Sequence, residues 1–95
     1  MNEYQQQIEA GKSIVLEILT HVALELEEPR IAELKFAVTS RDFDYDQVSL
    51  IDSTGNVVTK LEETDLADCP ADKRVRAKLQ AQLFRSMRAF YAPKK

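Results

Sequence analysis

The chain has 95 residues, 31% of them charged, with 16 acidic and 13 basic side chains, no tryptophan, one cysteine and two glycines. That length fits one domain, 1–95, which on folding buries about two-thirds of the surface the unfolded chain exposes, and the charge density argues against a membrane-embedded protein. A lone cysteine leaves no internal disulfide, two glycines leave no glycine-rich nucleotide loop, and the Glu- and Gln-rich start reads against a signal peptide, so a cytoplasmic setting is expected.

In the first segment Tyr4, Ile8, Gly11, Val15, Ile18, Val22 and Leu26 recur at spacings of three and four, with Ile14, Leu19 and Ala23 widening the stripe. The spacing predicts an amphipathic helix over about 2–28, polar on the side of Gln6, Glu9, Ser13, Glu17, Thr20 and Glu27, and stopped by Pro29. Gly11 either kinks this helix or lets a neighbour approach closely, and the kink is the plainer expectation. Gly11-Lys12-Ser13 also matches the close of a phosphate-binding P-loop. That loop needs a glycine where this chain has Gln6 and a buried strand where it has MNEYQQQIEA, so the match carries no nucleotide site.

From Glu33 the apolar period falls to two: Leu34, Phe36 and Val38 share one face of a strand over about 33–40, with Lys35, Ala37 and Thr39 on the other. A second strand is expected over about 45–52 and a third over about 56–62. Between them Asp52-Ser53-Thr54-Gly55-Asn56 supplies the polar residues and the positive-φ glycine of a type I turn with a bulge. Such a meander needs a cover for its apolar face. The cover is a last helix over about 70–92, with Pro70 in its first turn and an apolar stripe of Val75, Leu79, Leu83, Phe84, Met87, Phe90 and Tyr91. The expected fold is α+β: a two-layer αβββα sandwich, a three-stranded antiparallel meander covered on one face by N- and C-terminal helices.

Charge is sorted along the chain. Residues 1–72 hold all 16 acidic side chains, whereas residues 73–95 hold 8 basic ones and no acid. Arg74, Lys78, Arg85 and Arg88 fall along one side of the last helix, and Lys73, Arg74 and Arg76 stand in its first turns, where the helix dipole disfavours cations. Pairing with acids inside the fold is the plain expectation for this basic face. The alternatives are a protein partner or symmetric dimer in which the basic helix meets an acidic surface, and nucleic-acid binding, which the net charge of −3 opposes.

RDFDYD, residues 41–46, alternates Asp42, Asp44 and Asp46 with Phe43 and Tyr45, placing three carboxylates on one side of an extended segment. A calcium loop would continue with glycine and end in glutamate where this chain has Gln47 and Ser53, so no metal is expected there. The stretch reads either as a polar loop whose two rings tuck into the core or, functionally, as an acidic patch with aromatic anchors for a cationic protein partner. Cys69 lies beside Pro70 near a helix start with cations close by, surroundings that can stabilise a thiolate, but the single histidine, His21, lies in the first helix. No catalytic set, cofactor site or metal site is expected.

The hairpin IDSTGNVV and the run Leu83-Phe84-Arg85-Ser86-Met87-Arg88 resemble the YezG-like small bacterial immunity proteins over about residues 34–91. The resemblance implies a stoichiometric inhibitor that occludes a toxin without chemistry of its own. The function expected from the sequence is accordingly a small, acidic, cytoplasmic, non-enzymatic protein-binding module. A secretion-chaperone-like homodimer and a nucleic-acid-binding dimer are the alternatives.

Overall fold

The computed structural model describes residues 3–41 and 46–92. Helix α1 spans Glu3–Glu25 and buries the expected stripe: Ile8, Gly11, Val15, Ile18, Leu19, Val22 and Ala23. It stops earlier than its pattern suggests because Glu27 takes a left-handed φ of 54°. Glu28 N–H then reaches back to the Ala23 carbonyl at 3.0 Å, closing the helix before Pro29. Pro29 opens a separate 3-10 helix, Pro29–Glu33, whose Ile31 is fully buried.

Strands β1 (Lys35–Arg41), β2 (Asp46–Ile51) and β3 (Val57–Glu62) form an antiparallel sheet in sequence order, so β2 is central. Phe36 sits opposite Leu50, and Val48 opposite Leu61, which sets one apolar face. The β2–β3 turn has the expected form: Gly55 N–H bonds the Asp52 carbonyl at 3.0 Å, and Gly55 has φ +87°. The register slips between Leu50 and Ile51, the bulge such a turn imposes.

A short helix not expected from the sequence follows: α2, Glu63–Asp68, with Glu63 and Asp65 in its first turn and Leu66 and Ala67 buried. Pro70 therefore does not open the last helix. Cys69 ends α2, and Asp72 caps α3 (Lys73–Phe90), its Oδ1 accepting from Arg74 N–H at 2.9 Å. Asp72 wins the cap because its carboxylate satisfies a free amide, which proline cannot do for its neighbours.

The fold is α+β, with helices at both termini on one face of the sheet. The cover contains three helices where the sequence pattern suggests two. One core joins Val15, Leu19 and Val22 of α1, Val48, Leu50 and Leu61 of the sheet, Leu66 of α2, and Leu79, Leu83 and Met87 of α3. Gly11 serves close packing and not a kink. A side chain there would overlap the Leu66 carbonyl oxygen and lie 2.6 Å from the carbonyl carbon. Helix α3 also shields the outer edge of β3, where Gln82 Nε2 donates to the Lys60 carbonyl at 3.1 Å.

Candidate functional site

The basic side of α3 is partly matched within the fold. Lys78 Nζ donates to Asp65 Oδ2 at 3.0 Å, a hydrogen bond that raises the Lys78 pKa, and the Arg76 guanidinium lies 3.7 Å from the Glu17 carboxylate of α1. Arg88 lies over the Phe84 ring at 5.9 Å. Arg74 and Arg85 are exposed and form no ion pair among the described residues. The four side chains proposed as a basic face do share the solvent side of α3, opposite Leu79, Leu83 and Met87. Of the acidic–aromatic patch, Asp42, Phe43, Asp44 and Tyr45 lie outside the described residues. Only the backbone of Asp46 is described, pairing with Arg41 at the start of β2.

Cys69 is a buried cap residue and not an exposed thiolate at a helix start. It closes α2 instead of facing a helix start, is 1% exposed, and its Sγ lies 3.4 Å from the Leu66 carbonyl and 4.0 Å from that of Gly11. Burial pushes its thiol pKa up, against the pull of Arg76. A thiol so placed is a poor nucleophile. His21 is exposed on α1, ten residues beyond Gly11, which is roughly 15 Å along the helix axis. Among the described residues no three His, Cys, Asp or Glu side chains gather as metal ligands, and no helix is long and apolar enough to cross a membrane.

A cleft of about 560 Å³ lies where three separate segments meet: Glu28, Arg30 and Glu33 of the 3-10 helix and its cap, Asp52–Thr54 of the hairpin turn, and Phe90, Tyr91 and Ala92 at the end of α3. Arg30 makes a two-pronged contact with Glu28, Nε to Oε1 at 2.7 Å and Nη2 to Oε2 at 2.9 Å, and its guanidinium lies over the Tyr91 ring at 5.0 Å. Tyr91 in turn meets Phe90 edge-on, with ring centroids 4.9 Å apart. The hydrogen bond from Arg30 holds the Glu28 carboxyl below its ordinary pKa.

Asp52 is ionised for a different reason. Its Oδ1 accepts from Thr54 Oγ1 at 2.8 Å, Asn56 N–H at 2.9 Å and Thr54 N–H at 3.0 Å, which lowers its pKa. The Asn56 side chain also lowers the Asp52 pKa by hydrogen bonding, whereas the exposed Glu33 carboxylate accepts no hydrogen bond among the described residues. The Tyr91 hydroxyl is buried with no hydrogen-bond partner, and burial, then the charge of Asp52, push its pKa up so that it keeps its proton. Three carboxylates against one guanidinium make the cleft anionic, and the guanidinium is already engaged.

Sequence reasoning did not single out this cleft. Its charged residues come from two stretches, 28–33 and the hairpin turn, each of which alone reads as an ordinary loop. The only local signal was Glu28-Pro29-Arg30, a carboxylate and a guanidinium held two residues apart by a proline. No family model, curated protein or solved structure matches the chain.

Proposed function

We propose that this chain is a small, cytoplasmic, non-enzymatic module that captures a basic protein partner on its acidic surface, as an immunity or antitoxin-type inhibitor would. The observation that carries this reading is the excess of carboxylates in the cleft. On α3, Lys78 and Arg76 meet Asp65 and Glu17 within the fold while Arg74 and Arg85 stay exposed, whereas at the opposite end Glu28, Glu33 and Asp52 share the single guanidinium of Arg30, which Glu28 already grips. Unmatched carboxylates beside exposed aromatic surface suit electrostatic steering followed by anchoring of a cationic protein. The same reading assigns Asp42, Asp44 and Asp46, with Phe43 and Tyr45, to the capture surface. Its test is affinity capture with the wild-type chain and with a variant carrying Asp42→Lys, Asp44→Lys and Asp46→Lys. Loss of a basic protein from the variant supports the reading, and undiminished capture removes this surface from it.

A second reading, a homodimer that holds client segments, draws support from the outer side of α1. Leu24 there is 73% exposed and Leu16 43%, beside a shallow apolar groove formed with Pro29 and Ala32. Sedimentation showing only monomer at micromolar concentration rules this reading out.

A further inference from the structure

We infer that the cleft between the 3-10 helix, the β2–β3 turn and the end of α3 is a docking pocket for an arginine side chain of the basic partner, held between Asp52 and Glu33 and stacked against Phe90. The inference rests on the reading of the chain as a binder of a basic protein, and it names the group recognised and where.

The cleft already holds one guanidinium in this manner. Arg30 is gripped at both prongs by Glu28 and lies over Tyr91, so carboxylate, guanidinium and ring alternate along one wall. The rest of the lining holds two of those three parts without the third. Asp52 and the exposed Glu33, whose carboxylate accepts no hydrogen bond among the described residues, line the same cleft with the ring of Phe90, which is 42% exposed. The missing part is a flat cation. Tyr91 lines the same cleft, and its hydroxyl is buried without a hydrogen-bond partner.

Three features favour a guanidinium over other cations. Two acceptors on different elements match a fork of donors better than the single point charge of an ammonium. A guanidinium is weakly hydrated and gives up its water to an aromatic face at small cost. A bare divalent ion would meet Arg30 in the same cleft, and the inner oxygen of Asp52 already accepts three hydrogen bonds. The cleft is open to solvent and its lining is mixed, which suits a side chain delivered by a protein surface.

The test is an amide chemical-shift titration of the whole chain with acetyl-Ala-Arg-Ala-amide and, separately, acetyl-Ala-Lys-Ala-amide at low ionic strength. One side chain alone predicts a dissociation constant on the order of millimolar for the arginine peptide. Saturable shifts are expected at Glu33, Ser53, Thr54 and Phe90 to Ala92, with weaker binding of the lysine peptide. The double variant Asp52→Asn, Glu33→Gln should bind the arginine peptide about tenfold more weakly. Glu9→Gln with Glu17→Gln removes the same formal charge from the far part of α1 and should leave binding unchanged. Phe90→Ala, which leaves the turn intact, should weaken the arginine peptide more than the lysine peptide. Absence of shifts, shifts centred elsewhere, or equal loss in the Glu9/Glu17 variant would overturn the pocket. The wider reading of a basic partner would then still stand or fall on the capture experiment above.

Discussion

Replacing Gly11 with alanine separates two opposing effects, helix propensity and the contact between α1 and α2. Position 11 lies inside a 23-residue helix, where glycine-to-alanine exchange by itself stabilises by about 1 kcal/mol. The added methyl, however, would stand 2.6 Å from the Leu66 carbonyl carbon and 2.9 Å from its Cα, and would overlap the carbonyl oxygen. Carbon atoms rest about 3.5 Å apart or more, so α2 must move outward by roughly an ångström. These are backbone atoms of a helix whose Leu66 is fully buried, and no flexible side-chain end can give way. Overpacking of this kind costs about 3 kcal/mol, the upper part of its usual range. The net expectation for Gly11→Ala is a loss of about 2 kcal/mol, or a urea midpoint about 2 M lower for a slope near 1 kcal/mol per M. Ser13→Ala, on the exposed side of the same helix, serves as the control for propensity alone and should stabilise slightly. A Gly11→Ala midpoint equal to or above that of the wild type would refute the close approach of the two helices.

Other outcomes follow from the same geometry. Gly55→Ala meets no atom within 4 Å but must adopt φ +87°, so it should cost about 1 kcal/mol by strain alone, while Glu27→Gly, relieving a left-handed residue at the end of α1, should gain about as much; urea melts of both check the signs. Cys69 should react with a thiol reagent at neutral pH only as fast as the protein opens, and rapid native-state labelling would contradict its burial. Because folding lowers the Asp52 pKa, its contribution to the turn is present above the ordinary aspartate value and is lost as pH falls through the depressed one. A carboxyl-detected NMR titration should therefore place Asp52 below the ordinary aspartate value, and a midpoint at or above about 3.9 would refute the role of its donors.

Much of the fold was legible because the sequence repeats its signals. The stripe on α1 names the buried residues almost one for one, and Asp52–Asn56 specifies its turn through a single glycine. What was not legible was local structure too short to show a period. Helix α2 is six residues long, and only its acidic first turn and Leu66-Ala67 distinguish it from a loop. Pro70 was a misleading start signal because Asp72, two residues on, offers a better cap. The meaning of Gly11 depended on Leu66, 55 residues away, and no periodicity carries that information. The candidate site was hidden for the same reason, since the Glu28–Arg30 pair, Asp52 and Tyr91 become neighbours only through packing. The sorting of charge was visible in the sequence, and so was its cancellation by Asp65 and by acids of the first helix; which acid of that helix would meet Arg76 was not, because that pairing depends on how α1 and α3 pack.

The most direct measurement is the chemical identity of what the immobilised chain retains from cell extract at about 0.15 M salt, where surface charges act over about 8 Å. The account predicts one basic protein at equal stoichiometry, released by higher salt and by the Asp52→Asn, Glu33→Gln variant. Retention of nucleic acid through α3, or of a partner indifferent to the acidic residues, would contradict it.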